Sequence, residues 1–112
     1  MTYDERLADE LRERLEASVG EVTEKRMFGG LAFMIEGNLT IAASRRGGLL
    51  VRTDPDEAAE IEALPGVEPM STGGRRPMPG WFHVAPEALA SETALDDWVD
   101  RTLAYVTTLP PK

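Results

Sequence analysis

The chain has 112 residues, of which 42% are hydrophobic and 29% charged, and it contains no cysteine. This length predicts a single domain, residues 1–112, with enough buried surface for one core. The lack of cysteine excludes disulfides, thiolate metal sites and cysteine nucleophiles. The net charge of −8 argues against nonspecific nucleic-acid binding, which depends on neutralising phosphates.

Two further features bear on localisation. The first fifteen residues are rich in Glu and Arg and contain no apolar core of a signal peptide. The longest apolar run, residues 31–35, is far shorter than the ~20 residues of a membrane span. We therefore expect a cytoplasmic protein without membrane contact.

The charges are grouped along the chain. Residues 25–53 carry five bases and one acid, whereas residues 54–70 carry six acids and no base. Residues 71–83 add two arginines. The two basic segments leave room for a local anion site within an acidic protein.

The first predicted element is a helix over about residues 3–17. Thr2 to Glu5 has the form of a capping box, with Thr2 as the N-cap. Leu7, Leu11 and Leu15 then recur at a spacing of four residues. This spacing is typical of the apolar stripe of an amphipathic helix.

Three strands are predicted next. The apolar runs 31–35 and 39–43 are separated by a short connection in which Gly37-Asn38 tolerates the positive φ of a tight hairpin turn. Gly47-Gly48 marks a second turn, and residues 49–52 form the third strand. Short connections between consecutive strands predict an antiparallel meander.

A second helix is predicted to begin after Asp54, which acts as N-cap, with Pro55 in the first helical position. Pro65-Gly66 ends it, and residues 67–70 are compatible with a short strand.

Residues 71–80 are rich in Gly and Pro and predict a loop, and residues 81–84 predict a strand. Ser91 caps a last helix that ends before Leu109. The predicted order is α-βββ-α-ββ-α. This order indicates a two-layer α+β domain, with an antiparallel sheet and helices on one face.

The sequence offers few candidates for catalysis or metal binding. His83 is the only histidine, and a general base or metal ligand is the alternative to a structural role. A Ser71–His83 pair lacks an evident orienting acid. Asp96, Asp97 and Asp100 suit the first turn of a helix without any bound cation. We therefore predict no catalytic residue and no metal site.

The segment Met27-Phe28-Gly29-Gly30 invites comparison with a phosphate-binding loop. A strand follows the two glycines rather than a helix, and neither the Walker pattern nor the dinucleotide fingerprint is present. We predict no cofactor. The expected role is structural: Met27 and Phe28 fill the core, while Gly29 and Gly30 let the chain turn or pack closely.

The strongest candidate interaction surface consists of arginines close to aromatic residues. Arginine beside aromatic rings suits contacts with carboxylates, phosphates or bases. The alternative is a solvated hairpin tip and an ordinary exposed loop. The predicted surface comprises Arg45, Arg46, Arg75, Arg76 and Trp81.

Several short motifs recur in a fixed order over nearly the whole chain. They are Arg26-Met27-Phe28-Gly29-Gly30-Leu31-Ala32-Phe33, Gly37-Asn38, Leu50-Val51-Arg52, Arg76-Pro77-Met78-x-Gly80-Trp81, Asp97-Trp98-Val99 and Leu109-Pro110-Pro111-Lys112. Together they resemble the N-terminal domain of the bacterial TfoX/Sxy family, and in particular its short stand-alone members.

This resemblance implies a fold similar to the secretion-chaperone-like class. It also implies a link to natural competence, in which full-length relatives with a second, C-terminal domain act as transcriptional co-regulators. It implies no catalytic residues.

We therefore expect a non-enzymatic regulatory or protein-interaction domain with a protein partner. The alternative is a binding protein or enzyme that holds a small anionic ligand with the arginine and aromatic surface. DNA binding by the two basic segments is a third hypothesis, which the acidic total disfavours. An exposed strand edge in so small a sheet leaves room for pairing of two copies, unless the edge is blunted, so a homodimer is a further hypothesis.

Overall fold

A computed structural model describes residues 3–27, 29–71 and 77–111, except for the side chains of Ser71, Pro77 and Met78. The described residues form three α-helices, six strands and two short 3₁₀ turns. In chain order they are α1 (Glu5–Val19), β1 (Thr23–Met27), β2 (Gly30–Ile35), β3 (Asn38–Ala43), β4 (Leu49–Arg52), a 3₁₀ turn (Pro55–Glu57), α2 (Ala58–Glu62), β5 (Val67–Ser71), β6 (Pro77–Val84), a 3₁₀ turn (Pro86–Leu89) and α3 (Glu92–Val106).

The six strands form one antiparallel sheet in the order β1-β2-β3-β4-β6-β5. The first four strands are a meander, and β6 lies between β4 and β5. Helices α1 and α3 pack against each other and against the middle of the sheet, while α2 packs against β5 and β6. The predicted two-layer α+β architecture is confirmed.

Two rows of side chains run across the sheet on opposite faces. One row places Phe33, Ile41, Val51 and Phe82 side by side, all of them buried in the core beneath the helices. The adjacent row belongs to the other face, because successive side chains in a strand alternate. That second row contains Lys25, Ala32, Ala42, Leu50, His83 and Glu68.

Helix α1 begins at Glu5, so the predicted N-cap at Thr2 is wrong. The cap is Asp4, whose Oδ1 accepts hydrogen bonds from two backbone amides of the first turn at 3.0 and 3.1 Å. A short carboxylate in this position satisfies the same amides that a threonine hydroxyl would. Thr2 lies outside the described residues.

Strand β1 was not predicted, and the sheet therefore has four strands before α2 rather than three. It pairs regularly with β2, from Thr23 opposite Met34 to Met27 opposite Gly30. Its residues are exposed except for the half-buried Met27. An edge strand with both faces in solvent has no alternation of apolar residues, which is the pattern on which the prediction depended.

The hairpin between β2 and β3 was predicted, but its turn is one residue earlier than expected. The two turn residues are Glu36 and Gly37, with φ values of 51° and 83°. Two consecutive positive φ values are typical of a type I′ turn. Asn38 instead opens β3, and its side chain donates a hydrogen bond to the carbonyl of Pro110 at 3.0 Å.

Strand β6 is four residues longer than predicted, because residues 77–80 belong to it rather than to a loop. Its pairing with β4 starts only at Trp81, opposite Arg52. Pro77 and Pro79 have no amide hydrogen to donate, but they precede the part of β6 that pairs with β4. No hydrogen bond to β4 is therefore lost. Residues 72–76 of the predicted loop lie outside the described part of the chain.

Candidate functional site

The predicted interaction surface is only partly brought together. Arg45 and Arg46 are exposed side by side in the turn between β3 and β4. Trp81 pairs with the last residue of β4, three residues from the end at which this turn lies, a distance of ~10 Å along the strand. Arg75 and Arg76 lie outside the described residues.

Trp81 is half-buried and takes part in an internal contact. The guanidinium carbon of Arg52 lies 5.3 Å from the centre of the Trp81 ring. The same guanidinium lies 5.8 Å from the ring centre of Tyr105 on α3. A cation held between two aromatic rings is a stabilising contact within the protein, and it connects the sheet to the last helix.

The turn that carries Arg45 and Arg46 is held by hydrogen bonds on both sides. The amide of Ser44 donates to the carbonyl of Gly48 at 3.0 Å, and that of Gly47 donates to the carbonyl of Ser44 at 3.0 Å. The amide of Arg46 donates to Oγ of Ser44 at 3.1 Å. The two arginines therefore project from a backbone of defined shape.

Gly29 and Gly30 pack against this turn. A Cβ atom on Gly29 would lie 2.6 Å from Cδ of Arg45, and one on Gly30 would lie 2.2 Å from the carbonyl oxygen of Ala43. The first strand hairpin thus approaches the second more closely than any larger residue would permit. Met27 is half-buried, and Phe28 lies outside the described residues.

His83 lies beneath the same turn, and its side chain is 8% exposed. Its Nε2 is 2.9 Å from the carbonyl oxygen of Gly47. Since a carbonyl only accepts, Nε2 carries a proton and donates it. Its Nδ1 is 3.7 Å from Oε1 of Glu68, and the same oxygen accepts a hydrogen bond from Nη2 of Arg46 at 2.7 Å.

An open groove of about 570 Å³ lies between the turn and strand β5. Apolar side chains line one part of it, and the rest is lined by two arginines, the carboxylate of Glu68 and polar side chains. Within the described part of the chain no carboxylate pairs with Arg45, whereas Arg46 is paired with Glu68. The lining residues are Ser44, Arg45, Arg46, Leu50, Glu68, Pro69, Met70 and His83.

Several members of this groove were not found from the sequence. Glu68 and Met70 lie in β5, at least twenty residues from the turn along the chain, and only the order β4-β6-β5 brings them beside it. The sequence signal was weak: a single acid in a short predicted strand. Leu50 was recognised as a strand residue but not as part of a binding surface.

The other candidates for chemistry do not assemble into a site. Asp96 accepts a hydrogen bond from Nε of Arg14 at 2.6 Å, and Asp97 and Asp100 are exposed. Across residues 3–27, 29–71 and 77–111, no three His, Asp or Glu side chains are placed to share a metal ion. The side chain of Ser71 lies outside the described residues, so its predicted relation to His83 stays untested.

The helices of the chain and its sequence relatives bear on its classification. None of the helices that the structure describes has the length and apolarity needed to cross a membrane. Comparison with curated proteins gives no significant match. The sequence model of the TfoX N-terminal domain matches residues 13–105, which include the second half of α1, the whole sheet and nearly all of α3. The chain therefore belongs to the TfoX N-terminal domain family.

Proposed function

We propose that this chain is a non-enzymatic protein-interaction domain with a regulatory role in the cytoplasm. The groove beside the β3–β4 turn receives a short segment of a partner protein that carries an acidic residue next to a large apolar one. The observation that supports this proposal is the exposed guanidinium of Arg45 at the rim of a partly apolar groove.

Arg45 is the residue that selects the acidic group. Among the described residues it has no carboxylate partner, so its cation is available, and arginine binds carboxylates with two parallel hydrogen bonds. Arg46 is already held by Glu68 at 2.7 Å and mainly shapes the rim. The partner's acid thus completes an ion pair that the domain leaves open.

Leu50, Pro69 and Met70 supply the apolar part of the groove. Methionine is unbranched and adapts to different side chains, which suits the recognition of a segment rather than of one rigid ligand. Because the groove is open to the surface, an extended chain can enter and leave along it. This arrangement supports binding of a protein segment, in agreement with a regulatory role resembling that of the TfoX/Sxy competence regulators.

A small organic anion is the second candidate. It is favoured by the groove volume of about 570 Å³, which lies within the range of ligand sites. In that case Arg45 would hold the anion and the apolar residues would contact its carbon skeleton.

A displayed library of random peptides tests the first candidate. We expect selection on the wild-type domain to enrich peptides with Asp or Glu next to a large apolar residue. Arg45→Ala should weaken those peptides about tenfold or more, the loss of one charge-assisted hydrogen-bonded pair. Arg6→Ala, at an exposed position on α1, is the matched control and should change nothing.

Peptides without an acidic consensus, or affinities that Arg45→Ala leaves unchanged, would contradict the proposal. The two candidates are separated by a titration with phenylacetate followed by NMR. If phenylacetate binds the groove as tightly as the selected peptides, then the small anion is the better description.

A further inference from the structure

A second depression lies beside the groove at the β3–β4 turn. It has a volume of about 370 Å³, and Ala85 and Pro86 are among the residues that line it. Arg46, Glu68 and His83 line both this depression and the groove. The two therefore adjoin at the ion pair between Arg46 and Glu68.

This ion pair is a weak barrier between them. The side chain of Arg46 is 68% exposed and that of Glu68 is 54% exposed, with an N–O distance of 2.7 Å. Water screens the attraction in so exposed a pair, so the two side chains move apart at little cost in free energy. A bound chain can therefore pass from the groove into the second depression.

The space between the turn and β5 fits one extended chain. Strand β6 lies between β4 and β5, so the axes of β4 and β5 are ~10 Å apart. A helix with its side chains is ~10–12 Å across, too wide to lie between them. An added strand alongside β5 is also hindered, because Pro69 has no amide hydrogen and the pairing with β6 is irregular between Pro69 and Ser71.

The separation of the two depressions indicates which extended conformation fits. Met70 lines the groove, and Val67 lines the second depression. Three residues separate these positions in β5, a distance of ~10 Å. In a polyproline II helix, residues i and i+3 lie on the same side and are ~9 Å apart. In a β-strand, residues i and i+3 point to opposite sides.

We propose that the partner segment binds as a polyproline II helix that occupies both depressions. Its acidic residue pairs with Arg45, and the large apolar residue next to it enters the groove. A second apolar residue, three positions further along, enters the depression beside Ala85 and Pro86. This inference rests on the function proposed for the groove, and it adds the conformation and the residue spacing of the segment.

Three blocked peptides of identical composition test the spacing. The two leucines are three positions apart in Glu-Leu-Pro-Pro-Leu-Pro, two apart in Glu-Leu-Pro-Leu-Pro-Pro and four apart in Glu-Leu-Pro-Pro-Pro-Leu. A polyproline II helix keeps its spacing in both chain directions, so each peptide is also titrated with its sequence reversed. In the direction that binds better, we expect NMR titration of the full chain to show about tenfold tighter binding of the first peptide, because it alone places both leucines in apolar surroundings.

Two proline substitutions separate the second depression from the groove. Pro86 and Pro55 are both exposed, and each is the first residue of a 3₁₀ turn, but Pro55 does not line the depression. Pro86→Ser should weaken the first peptide about fourfold, because apolar lining is lost, and should leave the other two unchanged. Pro55→Ser is the matched control and should change none of the three affinities.

Equal affinities for the three peptides would overturn this inference, and so would an equal loss for all three in Pro86→Ser. Either result would leave the groove proposal in place. If none of the three binds at millimolar concentration although the peptide library yields an acidic consensus, then the inference again fails alone. If the library yields no such consensus either, then the proposed function fails with it.

Discussion

The side chain of Arg45 lies across Gly29, so closely that a methyl group on this glycine would stand 2.6 Å from Cδ of the arginine. This contact joins the end of the β1–β2 hairpin to the turn between β3 and β4. It places Gly29 against the aliphatic part of the side chain whose cation is proposed to bind a partner. The conformation of Arg45 therefore depends on what occupies position 29.

Gly29→Ala should destabilise the domain by about 2–3 kcal/mol. About half of this loss comes from the left-handed φ of 78°, and the rest from the contact with Arg45. Gly20→Ala is the matched control, since Gly20 has a φ of 83° but nothing within 4 Å of the new methyl group. Urea denaturation measures both.

If Arg45 causes the difference between these two glycines, then Arg45→Ala combined with Gly29→Ala should cost less than the sum of the single changes. If the two changes in the free energy of unfolding simply add, the contact between position 29 and Arg45 does not contribute to the loss of stability.

Gly30→Ala should be more damaging, with a loss of about 3 kcal/mol or more. The new methyl group would stand 2.2 Å from a backbone oxygen of Ala43, which is fixed in the β2–β3 ladder and cannot rotate away. The expected readout is a lower urea midpoint or a failure to fold. A Gly30→Ala variant as stable as the wild type would contradict the close approach of the two strands.

His83→Ala should lower the free energy of unfolding by about 2–4 kcal/mol. The change leaves a cavity under the turn and removes the donor to the carbonyl of Gly47. Glu68→Gln is the control for the other ring nitrogen. Glu68 is exposed and 3.7 Å from Nδ1, so this change should cost less than about 0.5 kcal/mol.

The ion pair between α1 and β1 should make stability depend on pH. Arg12 donates from Nε and Nη2 to the carboxylate of Glu24, and these hydrogen bonds lower the pKa of Glu24 in the folded protein. A depressed pKa contributes stability that is present above the ordinary pKa of glutamate and is lost as the pH falls through the folded value. The wild type should therefore exceed Glu24→Gln by up to about 1 kcal/mol at pH 7.

This difference should disappear on acidification, as the carboxylate becomes protonated in the folded state. The comparison is made by urea denaturation of both proteins between pH 7 and pH ~3. Glu13→Gln, an exposed acid of α1, serves as the reference for a general loss of negative charge. A constant difference at all pH values would exclude the ion pair as its cause.

Trp81→Ala should lower stability by about 1–2 kcal/mol, because the ring is half-buried and stacks on Arg52. The same variant should leave peptide binding at the groove within about twofold of the wild type, since Trp81 is ~10 Å away along the sheet. Binding that depends on Trp81 as strongly as on Arg45 would favour the larger surface expected from the sequence.

The sequence predictions were most accurate for the elements whose side chains are most buried. Strand β4 and helix α3 were located well, because Leu49, Val51, Trp98 and Val99 are buried and impose a period. Ser91 was correctly identified as the N-cap of α3, where its Oγ accepts a hydrogen bond from a backbone amide. Asp54 also accepts such a hydrogen bond, but it caps the 3₁₀ turn Pro55–Glu57, and α2 begins only at Ala58. Strand β1 was missed for the opposite reason: solvent imposes no pattern on it.

The candidate site was predicted less completely than the fold. Arg45 and Arg46 were expected to belong to an interaction surface, with a solvated hairpin tip as the alternative, and they lie exposed in a turn. Their neighbours Glu68 and His83 come from strands whose positions depend on the insertion of β6 between β4 and β5. Periodicity along a chain contains no information about such an insertion. The groove therefore became visible only when the order of strands was known.

That insertion also has a consequence for how the protein folds. In the described sheet, β4 and β6 are the single pair of neighbouring strands that do not follow each other in the chain, and Thr53 there bonds Gly80 across 27 residues. The meander of β1–β4 and the β5–β6 hairpin can each form from local contacts within microseconds. Pairing β4 with β6 requires the chain between them to close into a loop. This closure lowers the conformational entropy before the new contacts form. Substitutions in the β4–β6 pair should therefore slow refolding, whereas substitutions in the edge strands β1 and β5 should mainly speed unfolding.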